Sequence, residues 1–179
     1  MELYHGTTKL IYKIDLAKGR HRTDFGQGFY LGSNLEVAQR WAKSRAAFSG
    51  KPIVMRYTLD ISIFSDEKVN PLVFDEPSLE WLNFVRDNRR KGNPNNRLRH
   101  THGVVCGSIA NDKVNFVVDD YLKGKITAEL AIARVKALPN VLQVSLHTSY
   151  ALTYLDTAAT CYQEQLLSGE WSEEVRLSE

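Results

Sequence analysis

Tyr4-His5-Gly6-Thr7 and Gly26-Gln27-Gly28-Phe29-Tyr30-Leu31 are the two stretches that decide how this sequence is interpreted. The first places a histidine beside a glycine at the end of a short apolar strand, and the second places a tyrosine on a strand that leaves a glycine-rich turn. The backbone at a glycine can approach a planar amide closely because no Cβ intervenes, and an aromatic face attracts a cationic ring. The pair therefore predicts a slot for a flat, cationic carboxamide such as the nicotinamide of NAD+. Glycines near aromatic residues are also common in turns and bulges, so a purely structural role stays open.

Length and composition indicate one ordinary domain. The chain has 179 residues, of which 43% are hydrophobic, and its net charge of +2 does not by itself indicate a nucleic-acid binder. Cys106 and Cys161 show neither metal-ligand spacing nor a disulfide framework, so we expect no metal. The sequence shows no signal peptide and no apolar segment of the ~20 residues that a membrane span needs, which predicts a cytoplasmic protein without a membrane partner.

The periodicity of the apolar residues predicts short strands mixed with helices. Strands are predicted at 1–4, 29–31, 53–59, 103–106, 114–118 and 141–147. Helices are predicted at 77–88, at 127–138 with Thr127 as the cap, and at 149–155. A further helix follows a capping box at residues 33–36 and is expected to bury the face that carries Val37, Ala38, Trp41 and Ala42. Since no regular βαβ repeat occurs, the sequence favours an α+β fold over a doubly wound one.

The predicted strand at 141–147 alternates between apolar and polar side chains. The apolar side chains belong to Leu142, Val144 and Leu146, and the polar ones to Gln143, Ser145 and His147. Because successive side chains of a strand point to opposite faces, one face is expected to join the core. The other face is either solvated, as in many antiparallel sheets, or forms the polar wall of a cleft.

Together these segments resemble the ADP-ribosyltransferases of the diphtheria-toxin and poly(ADP-ribose) polymerase type. Within that superfamily they are most similar to an uncharacterised bacterial family with a His-Tyr-Gln triad. Three motifs occur in the family's order: His5-Gly6-Thr7 on the first strand, the Gly-x-Gly-aromatic-Tyr strand and helix at 26–42, and the strand that carries Gln143. Residues 24–31, 107–112 and 143–148 also resemble phrases of that bacterial family.

The resemblance covers residues 1–155 and implies an ADP-ribosyltransferase-like domain, with a split β-sheet core and flanking helices. Residues 156–179 lie outside it and are expected to form a C-terminal helical extension of unknown role. NAD+ is implied as the substrate, and the catalytic residues are His5, Tyr30 and Gln143. The residues implied or expected to bind NAD+ are His5, Gly6, Thr7, Arg20, Arg22, Gly28, Phe29 and Tyr30.

Each main residue has a role that the resemblance implies. His5 would donate a hydrogen bond to a ribose hydroxyl, the backbone of Gly6 would bind the nicotinamide carboxamide, and Tyr30 would stack on the nicotinamide ring. Gln143 takes the position of the usual glutamate, near the hydroxyls of the nicotinamide ribose. From its chemistry alone, the guanidinium of Arg20 or Arg22 suits a pyrophosphate, because it can bind two oxygens at once. Solvated surface charge is the alternative for both arginines.

Gln143 is the departure that limits the chemistry. An amide orients hydroxyls through hydrogen bonds but cannot take up a proton, which favours transfer of a single ADP-ribose over chain elongation. A general base, where one is needed, must come from elsewhere. The candidates are His147, Asp112 and Asp24, each of which also has a structural explanation as a strand-end or turn residue.

The implied function is mono-ADP-ribosylation of a macromolecular acceptor, either protein or nucleic acid. By analogy the chain would be an intracellular bacterial toxin of a toxin–antitoxin or phage-defence system, neutralised by an antitoxin protein. The basic segment from Arg86 to His102 suits phosphate contacts, although the interleaved aromatic residues typical of single-strand binding are missing from it. Two alternatives stay open: an NAD+ glycohydrolase, and a catalytically inert NAD- or partner-binding module.

Overall fold

The computed structural model describes residues 1–89, 100–108, 112–138 and 141–178, with residues 112 and 113 described by their backbone only. The strands are β1 (Glu2–Thr7), β2 (Phe29–Gly32), β3 (Ile53–Leu59), β4 (Leu72–Val73), β5 (Val104–Ser108), β6 (Leu142–Leu146), β7 (Leu155–Glu164) and β8 (Val175–Arg176). The helices are α1 (Leu35–Ala46), α2 (Leu79–Arg89), α3 (Asp112–Leu122), α4 (Ala128–Lys136) and α5 (Ser149–Leu152). Short 3-10 helices occupy Leu16–Lys18 and Ile61–Ser65. Among the described helices, none is long and apolar enough to cross a membrane.

The strands of the described residues form one open sheet in the order β4-β5-β6-β2-β1-β3-β7-β8. Neighbouring strands are antiparallel, except for the parallel pair β4–β5. With its helices, this sheet confirms the predicted α+β class. Strand pairing is shortest at the centre of the sheet, where β1 and β2 pair only at Tyr4 and Gly32. By contrast, β1 pairs with β3 from Glu2 to Thr7, and β2 pairs with β6 from Phe29 to Gly32.

The two halves of the sheet are β4-β5-β6-β2 and β1-β3-β7-β8. Both contribute to one hydrophobic core on one face of the sheet, and different elements cover them on the other face. The shared face carries the central core, to which both halves contribute; it includes Leu3, Phe29, Leu31, Met55, Tyr57, Val144 and Leu146. On the opposite face, α1 packs on β1 and β3 through Ala38 and Ala42. The half that contains β5 and β6 is covered there by the helical core, which includes Phe25, Phe74, Trp81, Val105, Val118 and Ala131.

Two predicted features near the helices differ from the structure. Residues 114–118, predicted as a strand, lie in α3, where Val114 and Val118 are buried one turn apart. A short apolar run does not distinguish a strand from a buried helix. The cap of α1 is Asn34, the second residue of the predicted box, rather than Ser33, since the Asn34 side chain accepts from the Val37 N–H. Thr127 caps α4 as predicted.

The C-terminal segment is not the predicted helical extension. Residues 155–164 form β7, which pairs along β3, and residues 175–176 form β8 beside it. The helix predicted at 149–155 accordingly ends at Leu152. Thr160 is buried within β7, and the β-branched and aromatic residues of this segment favour a strand. The sheet therefore continues past the boundary that was expected at residue 155.

A buried ion pair ties the loop before β2 to the helices. The Asp24 carboxylate is 8% exposed and accepts from the guanidinium of Arg89 at the end of α2, with Nε 2.7 Å from Oδ1. The same guanidinium donates to Asn115 Oδ1 of α3 over 2.5 Å. The loop that carries Phe25 and Gly26 is thus anchored on two helices.

Arg89→Ala is expected to lower the free energy of unfolding by about 3–5 kcal/mol, because it leaves the buried Asp24 carboxylate without its cation. Arg86→Ala on the same helix is the matched control. Arg86 pairs with the exposed Asp87, and surface pairs of this kind contribute about 1 kcal/mol or less. Urea unfolding of both variants measures the difference. Equal losses would contradict the role given to the Asp24–Arg89 pair.

Candidate functional site

Tyr30 is held at its hydroxyl by the loop that precedes β2. The hydroxyl oxygen lies 2.5 Å from the Gly26 carbonyl and 2.8 Å from Thr23 Oγ1, and it accepts from the Phe25 N–H over 3.1 Å. The ring is roughly parallel to Phe25, with centroids 6.4 Å apart. Burial raises the pKa of the phenol well above its usual range. Tyr30 therefore presents a neutral ring in a fixed orientation.

His5 spans the gap between β1 and β2. Its Nδ1 lies 2.7 Å from the carbonyl oxygen of Tyr30, and a carbonyl only accepts, so Nδ1 carries the proton. The ring stacks on Phe29 with centroids 4.7 Å apart, and burial lowers the pKa of the imidazole. In the neutral ring Nε2 is then an acceptor. His5 is thus built to accept a hydrogen bond from a hydroxyl, whereas the resemblance implied a donor.

Gln143 lies in a row of residues that crosses four strands. Tyr4 pairs with Gly32, Gly32 with Gln143, and Gln143 with Gly107. A Cβ at Gly107 would meet Phe25 and Phe74 of the helical core, whereas a Cβ at Gly32 would meet only a carbonyl oxygen at 4.0 Å. The Gln143 side chain therefore has packed aromatic rings on one flank and open space on the other.

The amide of Gln143 is buried without a complete set of partners. The residue is 8% exposed, and its Nε2 has no hydrogen-bond partner within the described part of the chain. Buried polar atoms in native structures are nearly always paired, and an unpaired one costs about 1–3 kcal/mol. The predicted alternative of a solvated sheet face is wrong, since Gln143, Ser145 and His147 are all buried.

The three predicted catalytic residues lie on three neighbouring strands, β1, β2 and β6, but do not share a face. Tyr30 and Gly32 are two residues apart on β2, and Gly32 is opposite Gln143, so the side chains of Tyr30 and Gln143 lie on the same face. The His5 ring packs with Phe29, on the central-core side. The β1–β2 pairing is limited to Tyr4–Gly32, so His5 borders the gap on the central-core face and Tyr30 on the opposite face.

The predicted glycines have packing roles of their own. A Cβ at Gly6 would collide with the carbonyl oxygen of Ala38 in α1, so glycine at position 6 lets the helix lie directly on β1. A Cβ at Gly28 would lie 2.6 Å from His147 Nδ1. Both contacts explain why these positions carry glycine without reference to a ligand. They leave open the use of the Gly6 backbone, whose β2-facing edge is not strand-paired after Tyr4.

Thr7 and Phe29 are engaged within the protein. The Thr7 hydroxyl donates to the carbonyl of Lys9 over 3.2 Å, as in a local turn. Phe29 is a buried residue of the central core, with its ring edge against Tyr57 at 5.4 Å between centroids. Phe29 reaches the predicted slot only by supporting the His5 ring.

The basic residues predicted to contact phosphate are exposed. Arg20 lies with its guanidinium carbon 5.6 Å from the ring centroid of Trp41, and Arg22 is exposed. Neither has a carboxylate within 4.0 Å in the described residues. Of the basic segment between Arg86 and His102, residues 90–99 lie outside the described residues, as do residues 109–111 of the segment at 107–112.

None of the candidate bases that the structure describes is free. His147 Nδ1 lies 2.8 Å from the Gln27 carbonyl, and its Nε2 lies 2.8 Å from Ser145 Oγ. Burial, opposed in part by the hydrogen bond to Gln27, lowers the pKa of His147 to about 4. Asp24 is occupied by Arg89. The side chain of Asp112 lies outside the described residues.

Sequence reasoning missed His100, whose ring lies against His147 beside the loop that holds Tyr30. Its Nε2 lies 2.8 Å from the Phe25 carbonyl, and its ring meets the edge of His147 with centroids 4.7 Å apart. Burial lowers the pKa of His100, so both rings are neutral at neutral pH. No spacing in the sequence signals this contact, because the partners are far apart in the chain.

The described residues contain no group of acidic, histidine and cysteine side chains placed to hold a metal.

A separate cavity of about 240 Å³ lies on the α1 side of the sheet and does not include His5, Tyr30 or Gln143. Its lining residues are Glu2, Tyr4, Leu35, Val54, Arg56, Gln163 and Glu174. Arg56 lies between Glu2 and Glu174, each with a nitrogen–oxygen distance of 2.7 Å. The cavity is therefore distinct from the predicted slot at the β1–β2 gap.

Comparison with known proteins places the chain in one family. The profile of the family described as protein of unknown function (DUF3990) matches residues 1–157. Neither the curated proteins nor the solved structures gave a significant match. The matched region contains β1 to β6, all five described helices and the residues His5, Tyr30 and Gln143. The chain therefore belongs to the DUF3990 family.

Proposed function

We propose that this protein is an NAD+-dependent mono-ADP-ribosyltransferase that modifies a macromolecular acceptor. One observation carries the proposal: the Gln143 amide is buried beside the open flank at Gly32, and its Nε2 has no partner in the described residues. Such an atom costs stability unless a ligand supplies the acceptor. A ribose hydroxyl oxygen at this place would accept from Nε2, which is the role that the resemblance implies for Gln143.

The gap between β1 and β2 supports a flat ligand at this position. After the single pair Tyr4–Gly32, the β2-facing edge of β1 is not covered by a strand. Gly6 lies on this edge, and a free backbone edge can bind a carboxamide through one donor and one acceptor. The neutral, fixed ring of Tyr30 suits stacking on a cationic nicotinamide.

The reaction would begin with cleavage of the bond between C1′ of the ribose and the nicotinamide nitrogen. The bonding electron pair leaves with nicotinamide, and C1′ gains positive charge. A nucleophile of the acceptor then forms the new bond to C1′ and releases its proton to solvent, because the described candidate bases are engaged within the protein. Oriented dipoles such as the Gln143 amide would stabilise the developing charge without reorganising.

The biological setting is proposed on the resemblance alone. An intracellular bacterial toxin of a toxin–antitoxin or phage-defence system, neutralised by a partner protein, fits a compact transferase domain of this kind. NAD+ is its substrate, and no metal is required for the steps above.

Gln143→Leu is expected to raise the stability of the protein and, at the same time, to slow turnover. Leucine removes the unpaired amide, so the free energy of unfolding should rise by about 1–3 kcal/mol. Loss of the hydrogen bonds that orient the ribose should reduce nicotinamide release about a hundredfold. Thermal unfolding and release of labelled nicotinamide measure the two effects.

Gln163→Leu is the matched control for Gln143→Leu, since Gln163 also has an unpaired amide atom but lines the separate cavity. Gln163→Leu should leave nicotinamide release unchanged. If Gln143→Leu releases nicotinamide as fast as the parent chain, Gln143 has no part in turnover. Release without transfer of label to a macromolecule would assign NAD+ hydrolysis instead, and NAD+ binding without release would assign an inert module.

Tyr30→Ala is expected to weaken NAD+ binding by about 1–3 kcal/mol, the scale of a lost aromatic contact with a cationic ring. Tyr30→Phe separates stacking from support of the loop. It keeps the ring but removes the hydroxyl bonds to residues 23–26, so it should lower stability while NAD+ affinity stays within about threefold, less than 1 kcal/mol. Calorimetry with both variants gives the affinities. Unchanged affinity in a folded Tyr30→Ala chain would remove Tyr30 from the site.

A further inference from the structure

An arginine–tryptophan patch, formed by Arg20, Trp41 and Arg45, lies on the outer surface of α1 and the loop before β2. Trp41 was expected to be buried with Ala38 and Ala42, yet 42% of it is exposed. The Arg20 guanidinium carbon lies 5.6 Å from its ring centroid. A large aromatic side chain is thus kept at the surface beside a cation.

The patch carries positive charge without counter-charge. Partial burial, followed by the nearby charge of Arg45, lowers the pKa of Arg20, so the two cations lie close enough to repel each other. Neither makes an ion pair with any carboxylate of the described residues. Arg22 and Arg40 are also exposed and close in sequence. Adjacent unpaired guanidinium groups are well suited to phosphate oxygens.

The patch borders the mouth of the proposed slot. A Cβ at Gly6 would lie 3.0 Å from the Cβ of Trp41, and a Cβ at Gly19 would lie 2.7 Å from the Gly28 carbonyl oxygen. Trp41 therefore backs on the residue after His5, while the residue before Arg20 packs on the start of β2. A ligand held on the patch lies next to the point where β1 and β2 separate.

We propose that this patch binds single-stranded nucleic acid, which is the acceptor of the transferase. The inference rests on the proposed function for the transfer step but not for binding. An unpaired base would stack on Trp41, and flanking phosphates would contact Arg20 and Arg45. Aromatic stacking together with a cationic groove is the usual means of holding single strands. An acidic peptide would satisfy the arginines but leave the exposed indole face without a partner.

A nucleobase suits the chemistry of this slot. A pyridine-type ring nitrogen of the base attacks C1′ with its in-plane lone pair as the bond from C1′ to nicotinamide breaks, and the positive charge that NAD+ carried on nicotinamide passes to the base. The step consumes one NAD+ and releases one neutral nicotinamide. It needs no carboxylate at the position of Gln143, because a nucleobase nitrogen carries an available lone pair.

The test measures binding of fluorescein-labelled single strands of RNA and of DNA, about 12 nucleotides long, to the full chain without NAD+. Trp41→Ala should weaken binding about tenfold. The Arg20→Gln, Arg45→Gln double variant should reduce the slope of log affinity against log salt by about 1.4, since each phosphate contact on a single strand contributes about 0.7. Duplexes of the same sequence should bind more weakly.

Phe116→Ala and Arg134→Gln are the matched controls, because both residues are exposed on helices away from the patch. Both should bind the strands as the parent does. Equal affinity of Trp41→Ala and Phe116→Ala, or tighter binding of a polyglutamate peptide than of either strand, would overturn the proposal. Nicotinamide release measured without nucleic acid reports on the slot separately, so a failed patch and a failed transferase give different results.

Discussion

The architecture depends on the very limited strand pairing between β1 and β2. They are central in the order of the sheet, yet only Tyr4 and Gly32 pair between them. The two halves are joined instead by the central core on one face and by the His5 ring, which reaches the Tyr30 carbonyl at 2.7 Å. A side chain thus takes the place of ladder hydrogen bonds, and the backbone edge beyond it stays available. The candidate site follows from this interrupted pairing.

The loop that borders the site is held in place by interactions with residues outside the site. The Asp24–Arg89 pair fixes the loop that holds the Tyr30 hydroxyl, and His147 bonds the Gln27 carbonyl of the same loop. His147 is neutral because burial lowers its pKa to about 4, so this histidine adds no charge to the site. These interactions account for the buried polar groups around Tyr30. The Nε2 of Gln143 is left as the polar atom at the gap that they do not satisfy.

Local patterns in the sequence predicted the elements that carry the site. The features that were not predicted depend on contacts between residues far apart in the chain. The strands of His5, Tyr30 and Gln143 and the Thr127 cap follow from alternation and capping, which are local. The pairing of β7 with β3 depends on tertiary contacts, which the weak strand preference of the segment after residue 155 does not reveal. The Asp24–Arg89 pair also joins residues that are far apart in the chain. The exposure of Trp41 likewise depends on its surroundings in the folded protein, so no rule based on sequence spacing predicts either feature.

The predicted catalytic residues are all neutral, and this limits what the site can do. Burial lowers the pKa of His5 and raises that of Tyr30, while Gln143 has no ionisable group. A carboxylate in the buried place of Gln143, without a cation beside it, would be costly to keep charged. In the proposed transferase the site would therefore act by orienting NAD+ and by fixed dipoles rather than by charge or proton transfer. A transferase of this kind would select acceptors whose nucleophile already has a free electron pair. The exposed positive charge of the arginine–tryptophan patch lies outside the proposed slot.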